Sequence, residues 1–362
     1  MVEPRLLILD PYHGGSHAAV TETLLKFSPL PSQSWTLPAR HWKWRMGSAH
    51  LTFSKRLNQC ETLPSHLLTT DMLDLSRLQG LCPRLYATHC TLLMHENQLS
   101  YPRPERDRED LHLGMININS CLAADRIWWN SEHHRDDFLS HVENLSRMLP
   151  EQGLSGVDRE ILERSQVLGL PLDLDEIRPH RHVQRKPGPL KIAWNHRRDQ
   201  DKGAVEVLHL LADLIEEGLD FEVMLFGERF RNEPSGLAEG LERLGARVIH
   251  DAFISDRTDY LRLLAQGDVL LSTSKQENFG LSVAEAVQLG LWPLLPNALC
   301  YPELIPESQH EHCLYSSSQE LKSLILQAAD QPERQPGSWY ERYEAKALLA
   351  SVFPITDASS HP

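Results

Sequence analysis

The sequence predicts an α/β protein built from two doubly wound parallel sheets. Its 362 residues are enough for two domains of about 150 residues each. In both halves, short apolar runs alternate with amphipathic helical stretches, the pattern of strands joined by crossover helices. A polar, proline-containing segment without periodicity separates the halves and indicates a linker. The predicted parts are an N-terminal domain, 1–172, a linker, 173–189, a C-terminal domain, 190–335, and a last helix with a frayed tail, 336–362.

The elements of the first domain follow from apolar runs of four or five residues. The apolar run Leu6–Leu9 is too short for a signal peptide and is preceded by the acid Glu3. It is therefore expected to be a buried strand. The other predicted strands are Leu67–Thr70, Cys90–Met94 and Arg126–Trp129. The clearest predicted helices are His17–Lys26 and Leu111–Ala124.

The second domain repeats this alternation. Its predicted strands are Leu190–Trp194, Glu222–Phe226, Val248–Ile249, Val269–Ser272 and Trp292–Pro296. Its predicted helices are Ala204–Glu217, Gly236–Leu244, Tyr260–Ala265 and Leu281–Leu289, with Arg342–Phe353 as the last helix before the tail Pro354–Pro362. Ligands bind beyond the carboxyl ends of parallel strands, so two facing sheets predict a cleft whose chemistry lies in the loops that follow strands.

Composition and charge exclude several classes of protein. The 41% hydrophobic content excludes disorder for most of the chain, and no apolar stretch of about 18 residues predicts a membrane span. The six cysteines form no C-x-x-C pair, which favours reduced thiols in a cytoplasmic protein. The net charge of −14 argues against a nucleic-acid partner, but residues 1–172 contribute only −3, and no acid lies between Glu22 and Glu61. A local basic surface is therefore compatible with the acidic total.

The most informative segment is the loop before the predicted helix Leu281–Leu289. The amides of residues 278–281 would point out of the helix start, where the dipole favours anions, and Gly280 lets a ligand approach the backbone. Glu277 precedes this turn and Glu285 lies one turn inside the helix. Such a pair suits a sugar nucleotide, with one carboxylate on the sugar hydroxyls and the other on the ribose. The alternative is that Glu277 only caps the helix and that Glu285 is a solvated helix residue.

Two spaced motifs resemble a known family. Glu277 and Glu285 are similar to the E-x7-E pattern of retaining GT-B glycosyltransferases of family 4. After the first strand of the second domain, Arg197 and Lys202-Gly203 resemble the Arg-x4-Lys-Gly of that family, whose two cations hold the donor diphosphate. Arg198 is a neighbouring candidate, because the register is uncertain by one residue.

Longer blocks resemble one subfamily, the tRNA-queuosine α-mannosyltransferases and their bacterial relatives. The first block contains Gly14-Gly15 after the opening strand, which is similar to the family's loop beside the donor phosphates. The resemblance spans roughly residues 5–310, and its blocks are Leu9–His17, Pro38–Arg45, Thr69–Leu75, Met94–Pro102 and Trp129–Arg135.

The resemblance implies a GT-B fold, with two Rossmann-like doubly wound domains that face each other across a cleft. It implies transfer of a sugar from a nucleotide sugar such as GDP-mannose to the cyclopentenediol of queuosine in a tRNA anticodon, with retention and without a metal or other cofactor. The phosphate oxygen would take the proton of the acceptor. The expected donor-binding residues are Gly14, Gly15, Arg197, Lys202, Glu277, Asn278, Phe279, Gly280, Leu281 and Glu285, and the expected catalytic residues are Glu277, His95, Arg197 and Lys202.

The acceptor side is predicted from residues of the first domain. A run of alternating cations and tryptophans at residues 40–45 could hold phosphates and stack on unstacked anticodon bases. The alternative is that Trp42 and Trp44 are core or wall residues. His95 follows a predicted strand and resembles the acceptor-side histidine of the family, although it could be a packed structural residue. The expected acceptor or RNA contacts are Ser16, His17, Arg40, Lys43, Trp44, Arg45, Asp71, Glu96 and Asn97.

Three other functions are compatible with this pattern. The first is a family 4 transferase with another donor and a lipid or small-molecule acceptor; it is disfavoured because His17–Lys26 carries one cation, whereas a membrane-facing helix carries several. The others are a sugar-nucleotide 2-epimerase and a tRNA-binding protein without activity. Loops at residues 226–230 and 251–253 are expected to read the base of the donor. The residues leave the donor nucleotide, the tRNA and the oligomeric state open.

Overall fold

A computed structural model describes residues 5–101, 111–149, 153–181, 188–198, 200–228, 234–331 and 335–354. The chain divides into two compact units, the first formed by 1–172 with 343–362 and the second by 173–342. Within these residues, each unit contains one six-stranded sheet, and the strand pairs of both sheets are parallel. The predicted α/β class with two parallel sheets is therefore confirmed.

The first unit alternates strands and helices from its start. Its elements are β1 (Leu6–His13), α1 (Gly15–Phe27), β2 (Ser32–Pro38), α2 (Trp42–Leu57), β3 (His66–Thr70), α3 (Leu75–Leu81), β4 (His89–Met94), α4 (His112–Ala123), β5 (Arg126–Trp129), α5 (Glu132–Met148), α6 (Val157–Glu163) and β6 (Ser165–Val167). The strand order is β2-β1-β3-β4-β5-β6. Leu6–Leu9 is paired on both sides and its side chains are at most 2% exposed, which explains why this strand is apolar throughout.

Among the elements of the first unit that the sequence pattern does not predict are β2 and α2. β2 is an edge strand in which only Trp35 is buried, so it lacks the apolar run of a central strand. α2 begins after His41, which has a left-handed backbone and makes no side-chain cap, and its first turn contains no acid. The usual signals for the start of a helix are therefore absent.

The second unit repeats the architecture. Its elements are α7 (Leu174–Ile177), β7 (Leu190–Asn195), α8 (Ala204–Glu216), β8 (Phe221–Phe226), α9 (Leu237–Leu244), β9 (Val248–Asp251), α10 (Arg257–Leu264), β10 (Val269–Leu271), α11 (Leu281–Leu289), β11 (Trp292–Pro296), α12 (Tyr301–Leu304), α13 (His310–Cys313), β12 (Leu314–Tyr315) and α14 (Ser318–Asp330). The strand order is β12-β11-β10-β7-β8-β9. The bounds of α11 and β11 are those predicted.

The last helix, α15 (Ala345–Val352), belongs to the first unit. The Ala345 amide donates to the Leu172 carbonyl at 2.9 Å, and the Arg126 guanidinium donates to the Val352 carbonyl at 2.9 Å. In the predicted linker, residues 174–180 are helical, whereas 182–187 lie outside the described residues, as do 355–362 of the predicted tail. None of the helices in the described ranges is long and apolar enough to cross a membrane.

Candidate active site

The two glycosyltransferase-like motifs of the second unit meet because they follow neighbouring strands. β7 pairs with β10 in parallel, so the loops after these strands leave the same edge of the sheet. The first loop carries Arg197 and Lys202, and the second carries Glu277. The Thr273 hydroxyl joins the loops by donating to the Lys202 carbonyl at 2.7 Å.

Glu277 and Lys202 form an ion pair at this edge. Lys202 Nζ lies 3.2 Å from Glu277 Oε2 and donates to the Gln276 carbonyl at 2.7 Å. The other oxygen, Glu277 Oε1, accepts from the amides of Gly280 at 3.0 Å and Asn278 at 3.3 Å. Burial raises the pKa of Glu277, but the charge of Lys202 and these hydrogen bonds outweigh burial, and the pKa is lowered. Glu277 thus holds the turn before α11 and binds a cation as well. The alternative that it only caps the helix is wrong, because Gly280 is the N-cap residue and, among the described residues, no side chain caps α11.

The structure distinguishes the two neighbouring arginines after β7. The Arg197 side chain is exposed, whereas Arg198 is 2% exposed and forms an ion pair with Asp251 of β9. Burial lowers the pKa of Lys202, but the carboxylates of Glu277 and Asp201 outweigh burial, and the pKa is raised. The nearby Arg197 charge opposes this rise, which places Arg197 close to Lys202. Of the two candidates in the predicted motif, only Arg197 is therefore at the surface beside the Glu277–Lys202 pair.

Glu285 is held by a network that the sequence analysis missed. Its side chain is 9% exposed, and its Oε1 lies 2.6 Å from an Arg257 nitrogen. Its Oε2 accepts from the Tyr260 hydroxyl at 2.9 Å, and that hydroxyl accepts from the Asn195 amide at 2.7 Å. The alternative of a solvated helix residue is therefore wrong. Both partners of Glu285 come from α10, and Asn195 of β7 holds one of them; no local pattern connects these elements to α11.

The remaining predicted donor residues of this unit lie at or just before the start of α11. Phe279 is 1% exposed and packs edge-on against Tyr340, with 6.4 Å between ring centroids. Leu281 is the first residue of α11, where a helix amide is available to an anion. Of the expected base-reading loops, Arg229 and Phe230 lie outside the described residues, and Phe253 is 57% exposed.

In the first unit, the predicted residues lie in loops and in the first turns of helices that follow the strands. Gly14 and Gly15 follow β1, and α1 begins at Gly15 with no acid in its first turn. A Cβ at Gly14 would lie 2.5 Å from the Cβ of Ala39, so only glycine allows the loops after β1 and β2 to pack together. Ser16 is exposed, and His17 is 8% exposed.

His95 lies at the end of β4 next to His17. The two ring centroids are 4.3 Å apart, and His95 is 7% exposed. Burial, followed by the nearby His17 and His134, lowers the pKa of His95 well below its ordinary value. The imidazole is therefore neutral at physiological pH, which suits a hydrogen-bonding role.

Asp71 holds the loop that begins at His95 by accepting hydrogen bonds from its backbone. Its side chain is fully buried, and its Oδ1 accepts from the amides of His95 at 2.8 Å and Glu96 at 3.4 Å. Burial, with a smaller contribution from the Glu96 charge, raises the pKa of Asp71 to about 8. Direct contact with an acceptor was the expectation for Asp71, and its burial beneath the loop corrects that expectation. Glu96 is half-buried.

Asn97 also serves the loop. It is 1% exposed, and its Oδ1 accepts from the amides of Leu99 at 3.1 Å and Ser100 at 3.0 Å. Its amide donates to Asp137 at 3.1 Å. All the polar atoms of this side chain bond within the protein, so the expected contact with an acceptor is not supported.

The sequence analysis missed a second pair of side chains beside His95. The Asn130 amide donates to the His95 carbonyl at 3.1 Å, and the Asn130 Oδ1 lies 2.7 Å from Nδ1 of the buried His134. The signal was Asn130 and the capping Ser131 directly after β5. Within the described ranges, no cluster of three or more His, Cys, Asp or Glu side chains is arranged to hold a metal ion.

The run of cations and tryptophans forms the start of α2. Trp44 is 73% exposed, and Arg40 and Lys43 are exposed. Arg45 is half-buried and donates to the Pro38 carbonyl at 3.3 Å. Trp42 packs against a small apolar cluster that contains Met46. The core alternative therefore holds for Trp42 and is wrong for Trp44.

Comparison with known sequence families divides the chain at the same place as the structure. Residues 5–172 match the family described as tRNA-queuosine alpha-mannosyltransferase N-terminal, and residues 177–342 match glycosyl transferases group 1. A tRNA-queuosine alpha-mannosyltransferase of Drosophila melanogaster is 29% identical over 98% of this chain and 96% of its own length. A GDP-mannose-dependent alpha-(1-6)-phosphatidylinositol dimannoside mannosyltransferase of Mycobacterium tuberculosis is 26% identical over 83% of this chain and 74% of its own length.

Solved structures share the fold. A sucrose-phosphate synthase of Thermosynechococcus elongatus superposes with a TM-score of 0.70 at 14% identity, covering 96% of this chain and 97% of the other. Anabaena HepE in complex with UDP superposes with a TM-score of 0.65 at 14% identity, covering 96% of this chain and 98% of HepE. These likenesses confirm the predicted GT-B fold.

Proposed function

Because the chain belongs to the tRNA-queuosine α-mannosyltransferases and their bacterial relatives and is a glycosyltransferase, we propose that it transfers mannose from GDP-mannose to the cyclopentenediol of queuosine in a tRNA anticodon, with retention. The observation that carries the proposal is the Glu277–Lys202 pair, with Nζ and Oε2 3.2 Å apart, beside the start of α11. The similarity to a Drosophila and a Mycobacterium mannosyltransferase supports mannose as the sugar, and the GDP-mannose dependence of the second supports GDP-mannose as the donor.

On this proposal the second unit binds the donor. Arg197, Lys202 and the helix start at Leu281 neutralise the diphosphate as it leaves, which stabilises charge that develops in the transition state. The described contacts of Glu277 use three of the about four lone-pair positions of a carboxylate. The position that remains accepts a hydroxyl of the transferred sugar. Glu285, oriented by its network, accepts from the ribose.

The first unit would bind the acceptor. His95 is neutral, faces His17 and is held through Asp71, so it can hydrogen-bond the attacking hydroxyl without adding charge. We assign the proton of that hydroxyl to a phosphate oxygen of the donor, which removes the need for a protein base. His95 then positions the acceptor, and neither a metal nor another cofactor takes part.

The tRNA contact is assigned to the start of α2. Trp44 exposes 73% of its surface between the cations Lys43 and Arg45, a combination that stacks on an unstacked base and holds the phosphates beside it. The net charge of the whole chain is −14, so this contact must be local and must weaken steeply with salt.

The transfer is tested by mass spectrometry of tRNA. Queuosine-containing tRNA is incubated with GDP-mannose, and in parallel with other GDP- and UDP-sugars, and tRNA without queuosine is the control. A hexose-sized gain on the queuosine nucleoside with GDP-mannose is expected. A gain with another donor alone would contradict the choice of mannose, and no gain with any donor would contradict tRNA as the acceptor.

The tRNA surface is tested by paired charge reversals on one helix. Lys43→Glu with Arg45→Glu is expected to weaken tRNA binding about 10-fold or more at low salt and to leave donor binding unchanged. Lys55→Glu with Arg56→Glu, at the other end of α2, is the matched control for charge. Equal effects of the two double variants would show that only the overall charge matters, and would remove the specific role from Trp44 and its neighbours.

One observation favours a second candidate, a lipid acceptor. Two large apolar residues of α2 are exposed, Trp44 by 73% and Leu51 by 50% of their surface. Lys55 and Arg56 follow in the last turn of the helix. Exposed apolar side chains beside cations also bind anionic membrane surfaces. Co-sedimentation with anionic vesicles, combined with transfer to a lipid extract and not to tRNA, would favour this candidate.

A further inference from the structure

His196 is a buried histidine with an unexplained nitrogen. It follows β7 directly and is 6% exposed. Its Nε2 has no hydrogen-bond partner within the described ranges. A buried polar atom left unpaired costs about 1–3 kcal/mol, so such atoms are rare in native proteins and call for an explanation.

The surroundings of His196 hold it in place. Its ring packs edge-on against Trp194, with 5.4 Å between ring centroids. The turn after β8 presses on its backbone, because a Cβ at Gly227 would lie 2.2 Å from the His196 carbonyl oxygen and Gly227 has a φ of +97°. The indole of Trp194 donates to Thr273 at 3.2 Å. The His196 ring therefore packs against a side chain that is itself held by a hydrogen bond, and its backbone lies directly against the turn at Gly227.

The charged groups around His196 are those of the candidate donor site. The pKa of His196 is lowered to about 3, chiefly by burial and then by the Lys202 charge. The Glu277 charge raises this pKa, and the Arg197 charge lowers it by a smaller amount. The imidazole is consequently neutral, and the charges of Lys202 and Arg197 act on it. In the tautomer with hydrogen on Nε2, this nitrogen is a donor without a net charge.

We propose that Nε2 of His196 donates a hydrogen bond to the terminal phosphate of the nucleoside diphosphate part of the donor. The inference rests on the proposed function, because it takes the ligand of this edge to be a nucleotide sugar. A phosphate suits the position better than a sugar hydroxyl, since Arg197 and Lys202 already supply the positive field. A neutral donor adds a third hydrogen bond there without adding to the repulsion between the cations.

Calorimetric titration of the full chain tests this contact by comparing nucleotides that differ by one phosphate. GDP and GMP, and in parallel UDP and UMP, are titrated into the wild type, His196→Phe and His196→Gln. Phenylalanine keeps the ring against Trp194 and removes the nitrogens, whereas the amide nitrogen of glutamine can occupy the place of Nε2. His209→Gln, in α8 of the same unit, is the matched control, because His209 Nε2 is also buried without a partner in the described part of the chain.

The expected result depends on the number of phosphates. A hydrogen bond to a charged acceptor is strong enough that its loss should weaken diphosphate binding about 10-fold or more in His196→Phe. Binding of the matching monophosphate should change less than about 2-fold, and His196→Gln should recover most of the diphosphate affinity. His209→Gln should bind both nucleotides like the wild type.

Two results would overturn the inference and are distinguishable. If the wild type binds a diphosphate and His196→Phe binds it equally well, the His196 contact is wrong and the proposed function stands. If the wild type binds neither GDP nor UDP, the donor site itself is wrong, and the proposed function fails with it. Should the phenylalanine variant not fold, His196→Asn, whose amide is too short to reach the place of Nε2, replaces it in the same comparison.

Discussion

Removing the charge of Lys202 tests the ion pair at the centre of the candidate site. Lys202→Met keeps an unbranched side chain as far as the Cε position and removes the ammonium group, which lies 3.2 Å from Glu277 Oε2. The two side chains are 12% and 19% exposed. Glu277 would then remain largely buried, with its hydrogen bonds from Asn278 and Gly280 and without its cation.

The magnitude follows from distance and burial. Two unit charges 3.2 Å apart interact by about 5 kcal/mol at an effective dielectric constant of about 20. Breaking a fully buried pair by removing one partner costs about 3–5 kcal/mol. Since both side chains keep some contact with water, we expect Lys202→Met to lower the free energy of unfolding by about 2–3 kcal/mol. A domain of this size then loses about 2–4 °C in Tm per kcal/mol.

The effect should depend on pH with a definite sign. The pKa of Glu277 lies below its ordinary value of 4.5, so the ionised carboxylate stabilises the fold above that pH. This stability is lost as the pH falls through the pKa of the folded state. The difference in stability between the wild type and Lys202→Met should therefore be full at pH 7 and should shrink below about pH 4.

A double-mutant cycle in urea measures the interaction. The wild type, Lys202→Met, Glu277→Gln and the double variant are unfolded at pH 7, and the coupling energy is expected to be about 2 kcal/mol. Lys275→Met is the control, because its ion pair with Glu206 is more than half exposed and such pairs contribute about 0–1 kcal/mol. In the transfer assay, Lys202→Met should lower kcat about 100-fold or more. Additive effects of the two single substitutions, within about 0.5 kcal/mol, would refute the reasoning.

Three further predictions follow from other parts of the structure. The free energy of unfolding of the wild type is expected to fall as the pH rises from about 4 to 8, because the raised pKa of Asp71 keeps a proton on the folded state in that range. Asp71→Asn should make this fall smaller; equal slopes of unfolding free energy against pH, measured in urea, would contradict this. Tyr260→Phe should raise the donor KM about 5-fold through the loss of one bond to Glu285, and an unchanged KM would remove that role. Gly14→Ala should cost about 1–3 kcal/mol through contact with Ala39 and be rescued by Ala39→Gly; a failed rescue would show another cause.

The sequence predicts most of the strands and about half of the α-helices of the described residues, because the signals of these elements are local. Central strands such as Leu6–Leu9 are apolar on both faces, and α11 is preceded by a glycine with a left-handed backbone. Where the local signal is absent the prediction fails, as in the polar edge strand β2 and the uncapped start of α2. The assignment of α15 to the first unit depends on contacts with Leu172 and Arg126, which no pattern within the helix contains.

For the candidate site, the sequence by itself determined which residue types follow which strands, and therefore that Arg197, Lys202 and Glu277 share one edge of a sheet. Only the tertiary structure decided their partners. Lys202 and Glu277 are 75 positions apart in the sequence, and Glu285 and its partner Arg257 are 28 positions apart. Asp71 accepts a hydrogen bond from the amide of His95, 24 residues further along the chain. Spacing along the chain sets the direction of a side chain within its own element. Burial and pairing depend on what the other elements place against it, and this long-range information is present only in the folded molecule.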